Sequence, residues 1–274
     1  MTAMDMLNRR QAPLDAGLWD AIDEAASDAA AAMLTARRFL EIEGPYGPGL
    51  TAIEVGNDGF CRTVGDDEAG AVVSRAVSVP MLRKRFRIST RRIVAATEYG
   101  QPLNLAPVED AAEAMARRED EFIYYGNRDF GLEGLLTATG RRTVTAGDWA
   151  VVDRALEDVV KAVTLLDDAG FPGPYAMALS PSLYNQLFRR YEGSDLLQLE
   201  HLKRVCTAGI FKAPIEGGVV VDERVGPIIL GQDLMAGYIG TDGIHHEFFL
   251  TASMVLRLDD PEAICTLEPA EAAA

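Results

Sequence analysis

Hydrophobic residues recur every three or four positions in three long segments, and each segment predicts an amphipathic helix. The first predicted helix spans residues 15–38, with Asp15 as its N-cap. The second spans residues 107–126, with a proline at its start and a glycine at its end. The third spans residues 148–170 and takes Asp148 as its N-cap. The apolar faces of the first two helices consist of Leu14, Leu18, Ile22, Ala25, Ala29 and Met33, and of Val108, Ala111, Ala112, Met115, Phe122 and Ile123.

Shorter apolar segments separated by turn residues predict β-strands. Residues 83–94 indicate a strand that enters a helix, and residues 176–179 indicate a strand followed by a helix that Ser180 caps. Another helix is predicted over residues 197–207. The C-terminal part is mostly strand, with predicted strands at 219–221, 228–230, 247–251, 254–258 and 264–267. Because helices and strands do not alternate regularly, the pattern predicts an α+β fold with one discontinuous domain and one inserted domain.

Residues 48–80 differ in character from the segments on either side. They are rich in Gly and Asp and contain two short β-like pieces, at residues 51–55 and 71–79. A hairpin with so little apolar material cannot bury a core of its own. We therefore expect it to pack against another part of the protein or its assembly, for which a neighbouring subunit is one candidate.

Composition narrows the classes of function. The 274-residue chain has a formal net charge of −16, which would repel the phosphate backbone of nucleic acid. It lacks an apolar run of the roughly 18–20 residues that would cross a bilayer, and its first residues lack the pattern of a secretory signal. Its three cysteines, an odd number spaced far apart, indicate a reducing compartment. The sequence thus predicts a cytoplasmic protein without nucleic-acid or membrane partners.

Residue patterns typical of catalysis or metal binding are absent from the sequence. His245 and His246 are adjacent on a predicted strand, where neighbours point to opposite faces and do not share one metal. Residues 119–121, Glu-Asp-Glu, fan around a helix, so they indicate a charged face or an intersubunit salt-bridge region. No phosphate-binding glycine loop and no Gly-x-Ser-x-Gly motif is found. We predict no catalytic, metal or cofactor site.

A series of short motifs, each weak alone, runs through nearly the whole chain. The motifs are Leu7-Asn8-Arg9-Arg10-Gln11-Ala12-Pro13-Leu14, Trp19, Ile22-Asp23, Arg37-Arg38-Phe39, Glu43-Gly44-Pro45-Tyr46-Gly47, Glu119-Asp120-Glu121, Gly126, Gly134-Leu135-Leu136, Gly173-Pro174-Tyr175, Leu230-Gly231-Gln232-Asp233-Leu234 and Gly237-Tyr238. Together, and in this order, they resemble the encapsulins, the protein-compartment shells of bacteria and archaea. The tripeptide Gly-Pro-Tyr occurs twice, at residues 44–46 and 173–175, and its glycine and proline favour a stiff chain reversal.

The resemblance implies the fold of the major capsid protein of tailed phages, the Hong Kong 97-like fold. This fold has a peripheral domain with a long spine helix, here the helix predicted at 107–126, an extended loop and an axial domain. The implied boundaries are 1–47 for the N-terminal helix and part of the peripheral domain, 48–80 for the extended loop, 81–143 for the peripheral domain with the spine helix, 144–226 for the axial domain, and 227–274 for the peripheral domain with the C-terminal strands and tail.

In encapsulins, the inner face of the peripheral domain docks a short C-terminal peptide carried by cargo enzymes. The positions that match this site are Arg37, Phe39, Glu41, Ile42 and Leu234. The three apolar side chains would receive those of an extended peptide, while Arg37 and Glu41 would fix its orientation. The alternative is that Phe39 and Leu234 are ordinary core residues.

The resemblance also bears on a pore and on a flavin. It places the loop Tyr191-Glu192-Gly193-Ser194-Asp195 beside the fivefold pore, where acidic and hydroxyl groups would favour cations such as ferrous iron. The alternative is that Glu192 and Asp195 are solvated loop residues. Some relatives bind a flavin against an exposed Trp, but Arg92 stands at the matching position here. We therefore expect no flavin.

The resulting hypothesis is a self-assembling icosahedral shell of the smallest class. It would enclose a ferritin-like protein or a dye-decolourising peroxidase, recruited through a C-terminal targeting peptide, for iron storage or oxidative-stress defence. The chain itself would not be an enzyme. The alternatives are a phage or prophage major capsid protein with the same fold, and an autonomous enzyme.

Overall fold

The computed structural model describes residues 6–56, 59–61, 70–190 and 195–269, with the backbone alone for residues 59–61. Its helices are α1 (Ala16–Met33), α2 (Thr90–Tyr99), α3 (Ala106–Tyr125), α4 (Arg154–Asp168), α5 (Pro181–Gln186) and α6 (Gln198–Val205). Its strands are β1 (Ile42–Glu43), β2 (Ala52–Glu54), β3 (Gly59–Cys61), β4 (Ala71–Val73), β5 (Ala76–Ser78), β6 (Met81–Ser89), β7 (Gly126–Asn127), β8 (Leu132–Glu133), β9 (Arg142–Ala146), β10 (Tyr175–Leu179), β11 (Gly209–Lys212), β12 (Gly218–Asp222), β13 (Ile228–Asp242), β14 (His245–Leu256) and β15 (Ile264–Pro269). Across these ranges, no helix is both long enough and apolar enough to cross a lipid bilayer.

A four-stranded sheet of order β1-β13-β14-β6 carries helices α1 and α3 on one face. Trp19 of α1 meets Phe248 of β14 edge-on, with ring centroids 5.9 Å apart. Phe248 in turn stacks on Phe86 of β6 at 5.4 Å. This aromatic cluster joins the first helix to the central strand β14 and the edge strand β6.

The central strands β13 and β14 are much longer than the segments predicted from the sequence. Register shifts between Leu230 and Gln232, and again at Met235 and Gly240, interrupt the alternation of β13. Strand β14 is buried along nearly its whole length, so it shows no alternation of polar and apolar residues. These two features explain why the sequence predicted only short pieces.

A second sheet has the order β11-β10-β12-β15-β9, and α4 packs against it. Its strand β15 comes last in the chain, pairs antiparallel with β12 and runs parallel to β9. The predicted boundary that placed all of 227–274 in the peripheral domain is therefore wrong for β15. The reason is that a local sequence pattern does not reveal which distant strand completes a sheet.

Helix boundaries agree with the predictions at some ends and differ at others. Asp15 is confirmed as the N-cap of α1, because its carboxylate accepts the Leu18 N–H at 2.8 Å. The helix ends at Met33 rather than at residue 38. Asp148 is wrong as an N-cap: α4 begins at Arg154, and Asp148 caps a turn that precedes it.

The segment 48–80 forms a hairpin arm, as the sequence predicted. Strand β2 pairs antiparallel with β5, and β3 pairs antiparallel with β4. Val72 and Val73 of β4 are 59% and 68% exposed. Residues 57–58 and 62–69 of this segment, and the predicted tail at 270–274, lie outside the described residues. The exposed valines agree with a hairpin that needs a partner surface.

The first Gly-Pro-Tyr turn closes onto β13. The Tyr46 N–H donates to the Leu230 carbonyl oxygen at 3.0 Å, and the Gly47 N–H donates to the Gly231 carbonyl oxygen at 2.6 Å. Gly44 has a φ of 114°, and a Cβ at this position would lie only 2.4 Å from the Leu230 carbonyl oxygen. The turn therefore requires glycine for its backbone conformation and for its close approach to the strand.

We expect Gly44→Ala to destabilise the fold by about 2 kcal/mol, because the methyl group would overlap the backbone of β13. The matched control is Gly47→Ala. Gly47 also has a positive φ, of 108°, but an added Cβ there would meet no atom within 4 Å. Thermal unfolding should give a lower midpoint for Gly44→Ala than for Gly47→Ala. Equal midpoints would show that the contact with Leu230 is unimportant.

The second Gly-Pro-Tyr turn is held by a fully buried carboxylate. Asp222 accepts the Gly173 N–H at 2.8 Å, and the Arg224 N–H and Nε at 2.9 Å each. Burial alone would raise the pKa of Asp222, but the Arg224 guanidinium and these N–H groups outweigh burial and lower it. This carboxylate thus anchors the chain where it enters β10.

Candidate docking site

Two of the three consecutive acidic residues on α3 are buried. Glu119 and Asp120 are 4% and 2% exposed, whereas Glu121 is exposed and pairs with Arg118 at 2.6 Å. The interpretation of residues 119–121 as a charged face is therefore wrong for the first two. The physical reason is that α1 and the turn after it cover this part of the spine helix.

Asp120 fixes the turn that ends α1. Its carboxylate accepts the Thr35 N–H at 3.0 Å, the Thr35 hydroxyl at 2.7 Å and the Ala36 N–H at 3.2 Å. The Tyr124 hydroxyl lies 3.0 Å from the Thr35 hydroxyl. Burial raises the pKa of Asp120, and these hydrogen bonds offset part of the rise. The short 3₁₀ turn at residues 36–38 is thereby set against the spine helix.

Arg37, in that turn, bridges two carboxylates with one guanidinium group. Its Nε and Nη2 donate to Glu119 at 2.5 and 2.9 Å, and its Nη1 donates to Asp233 of β13 at 3.1 Å. The Glu119 side chain is 6% exposed and that of Asp233 is 57% exposed. One edge of the guanidinium thus binds inside the protein, and the other binds an acid at the surface.

The pKa values of Glu119 and Arg37 reflect both their burial and the ion pair between them. Burial raises the pKa of Glu119, and the Arg37 guanidinium offsets only part of the rise. Burial alone would lower the pKa of Arg37. The hydrogen bonds and charge interactions of Arg37 with Glu119 and Asp233 outweigh burial and raise this pKa. The guanidinium is a permanent positive charge, and its N–H groups are largely occupied.

An open cavity of about 260 Å³ lies beside this cluster, between α1, α3 and the four-stranded sheet. Alanine side chains leave the space open, two leucines give it an apolar surface, and charged residues stand around it. The lining residues are Ser27, Ala30, Ala31, Leu34, Arg37, Arg38, Met115, Ala116, Glu119, Asp233, Leu234 and Ala252. The cavity therefore combines apolar contact with fixed charge, as a peptide-binding groove does.

Comparison with known proteins identifies the family. A family model described as "Encapsulating protein for peroxidase" matches residues 4–255. The type 1 encapsulin shell protein EncA of Myxococcus xanthus is 34% identical over 282 residues, which cover 98% of this chain and 98% of that protein. The chain belongs to the encapsulin family of shell proteins. This confirms the predicted family, and with it the prediction that this encapsulin is a structural protein rather than an enzyme.

Solved structures of capsid-like particles have the same fold as this chain. The virus-like particle from Pyrococcus furiosus matches with a TM-score of 0.73 and 22% identity, covering 92% of this chain and 99% of that chain. The capsid of Myoviridae phage XM1 matches with a TM-score of 0.61 and 16% identity, covering 86% and 91%. At these identities the likeness shows the fold alone. It confirms the predicted α+β, Hong Kong 97-like fold of this encapsulin.

The structure brings two of the five predicted docking residues together. Arg37 and Leu234 both line the cavity described above, although almost 200 residues separate them. Phe39 and Glu41 instead line a second cavity of about 250 Å³ towards the second sheet, where Phe39 stacks on Phe211 at 5.5 Å. The 3₁₀ turn redirects the chain between the two cavities.

The fifth predicted docking residue, Ile42, lies in β1 at the edge of the four-stranded sheet and is 41% exposed. Sequence reasoning did not include Glu119 or Asp233, which hold Arg37. Glu119 follows Met115 by four positions and so falls on the apolar stripe of α3. That spacing was the available signal that a charged residue would be buried and paired.

The predicted pore loop lies mainly outside the described residues, which exclude Tyr191, Glu192, Gly193 and Ser194. Asp195 is described: its side chain is fully exposed and its carboxylate lies 3.6 Å from Nη1 of Arg190. Arg92, which stands where some relatives carry the flavin-binding Trp, is exposed in the first turn of α2. The pore and the absence of a flavin stay predictions.

The histidines and cysteines do not form a metal centre in the described ranges, where no three His, Cys, Asp or Glu residues lie close enough to hold an ion. His246 is buried, and its Nδ1 lies 2.9 Å from the Tyr238 hydroxyl. Burial lowers the pKa of His246 and raises that of Cys206 to about 12. At neutral pH, His246 is therefore a neutral hydrogen-bonding partner and Cys206 a protonated thiol.

Proposed function

We propose that this encapsulin assembles into a closed icosahedral shell of the smallest class, and that it docks a cargo enzyme in the cavity of Arg37 and Leu234. The cargo is a peroxidase or a ferritin-like protein that serves oxidative-stress defence or iron storage. The family description, which names peroxidase, supports the first of these. The meeting of Arg37 and Leu234 in one open cavity is the observation that carries the docking proposal.

The chemistry of the cavity suits an extended peptide with short aliphatic side chains. Leu34 and Leu234 offer apolar contact, and the alanine floor admits a chain at close distance. Arg37 already binds two carboxylates, so it supports the cavity wall more than it clamps the peptide. Exposed Asp233 and neighbouring Arg38 can pair with charged groups of the peptide and so fix its direction.

We expect Leu234→Asp to abolish cargo loading without preventing shell formation, because a carboxylate would face the apolar side chains of the peptide. Val160→Asp on α4 is the matched control, since Val160 is a 45% exposed apolar residue that does not line this cavity. Particles purified from the native host should carry a cargo protein in the wild type and in Val160→Asp. Mass spectrometry of the Leu234→Asp particles should find little of it.

Two results would contradict the proposal, each in a different part. Wild-type protein that forms only monomers or small oligomers by native mass spectrometry would overturn the shell. Leu234→Asp particles with the wild-type amount of cargo would leave the shell intact and overturn this docking site. Removal of the C-terminal segment of the identified cargo should reproduce the loss seen with Leu234→Asp.

A further inference from the structure

One short segment of the chain is strongly basic, although the rest is acidic. The chain has 26 basic and 42 acidic residues, and residues 83–92 hold six of the basic and none of the acidic ones. The net charge of the remaining chain is thus −22. The six basic residues, all exposed, are Arg83, Lys84, Arg85, Arg87, Arg91 and Arg92. Such a concentration of charge indicates an interaction surface.

Most of these charges form no ion pair with the residues that the structure describes. Segment 83–92 runs along the edge strand β6 into α2. Arg87 pairs with Glu247 and Asp242, at 2.5 and 3.1 Å, and Arg83 lies over the Phe249 ring at 3.8 Å. For the other four basic residues, the described part of the chain provides no ion pair.

The start of α2 is electrostatically unfavourable by itself. Arg91 and Arg92 stand in the first turn, which contains no acidic residue, and the Ser89 side chain makes no capping hydrogen bond. Positive charge at a helix N-terminus is unfavourable because it opposes the helix dipole. Two arginines at a place that prefers acids would be stabilised by carboxylates that the described residues do not supply.

A groove of matching character lies between α1 and the start of α3. It encloses about 450 Å³, and its floor consists of Leu105 and three alanines of α1. Glu24 and Asp28 stand on one wall and Glu109 and Glu113 on the other. Glu113 pairs with Arg117 at 3.2 Å, whereas the other three carboxylates form no ion pair among the described residues. The apolar floor suits the aliphatic stem of arginine, and the walls suit its guanidinium.

We propose that the first turn of α2, with Arg91 and Arg92, docks into the acidic groove of a second copy of this chain. Charge complementarity selects this occupant, because each copy presents a basic turn and an acidic groove that form no ion pair with each other inside one chain. Such a contact between different surfaces repeats around a closed assembly. The inference rests on the proposed shell function and specifies one contact between subunits.

The test reverses the charges on each side of the contact and then on both. Arg91→Glu/Arg92→Glu should keep its fold, since acids favour a helix N-terminus, but should lose the particle peak in size-exclusion chromatography and native mass spectrometry. Glu24→Lys/Asp28→Lys should lose it as well. The four substitutions together restore opposite charges and the original net charge, and they should restore the particles.

A mismatched combination controls for net charge. Asp129→Lys/Glu216→Lys alters two exposed acids that do not line the groove, and with Arg91→Glu/Arg92→Glu it should not restore particles. Wild-type particle yield from Arg91→Glu/Arg92→Glu would overturn the proposal and leave the two arginines as solvated surface charges. Failure of the matched combination to recover particles would also overturn it. Failure of the wild type to form particles would instead overturn the shell function.

Discussion

Arg37→Met should destabilise this encapsulin by about 3–5 kcal/mol, because it removes the partner of a buried carboxylate. Glu119 would keep a side chain that is 6% exposed and would have no cation to balance it. The loss of the exposed Asp233 contact adds little, about 0–1 kcal/mol. The measurement is the denaturant midpoint at neutral pH and at fixed protein concentration, since assembly also contributes to stability.

The double variant Arg37→Met/Glu119→Gln separates stability from docking. A neutral amide costs less to bury than an unpaired carboxylate, so the double variant should recover most of the lost stability. Cargo loading should stay impaired, because the cavity wall has lost its guanidinium. A double variant as unstable as Arg37→Met, or an Arg37→Met variant as stable as the wild type, would show that the ion pair does not hold this wall.

Asp222→Asn should cost about 2–3 kcal/mol at neutral pH, because charge-assisted hydrogen bonds are replaced by weaker or mismatched ones. The carboxylate accepts from Gly173 and three times from Arg224, and its side chain is fully buried. An asparagine has one acceptor oxygen, and its amide group would face an N–H donor. Asp195→Asn is the matched control, because the Asp195 side chain is fully exposed.

The stability difference between the wild type and Asp222→Asn should change with pH in a definite direction. The folded pKa of Asp222 lies below the ordinary value of 3.8. A lowered folded pKa adds stability above the unfolded pKa, and this stability is lost as pH falls through the folded value. The difference between wild type and Asp222→Asn should therefore be constant from pH 7 to about 5 and shrink below about 4. A difference that grows on acidification would contradict the assignment.

Sequence patterns predicted the features that depend on neighbouring residues. Asp15 caps α1, and the helix at 107–126 appears as α3, because capping and helical periodicity are local properties. The pairing of β15 with β12 and β9 depends on residues up to 123 positions apart, and no local pattern encodes it. The bulged strand β13 was likewise predicted only at its first few residues.

The candidate docking residues show the same limit of local patterns. Resemblance selected Arg37 and Leu234, which meet in one cavity, together with Phe39 and Glu41, which line another. Their closeness in the sequence predicts one site for Arg37, Phe39 and Glu41, but the 3₁₀ turn separates them in space. The role of Glu119 depends on its burial beneath α1, a contact between distant segments that periodicity alone does not assign to a partner.

The adjacency of Glu119 and Asp120 has a consequence for redesign of the proposed docking cavity. One of these residues orients Arg37 in the cavity wall, and the other fixes the turn that carries it. Changes to these two acids therefore disturb the fold, while Arg38, Asp233 and Leu234 border the same cavity, and the exposed Asp233 contributes little to holding Arg37. Substitution of these three residues, together with matching changes in the cargo peptide, should give a second docking specificity. Two shells in one cell could then be filled with different enzymes.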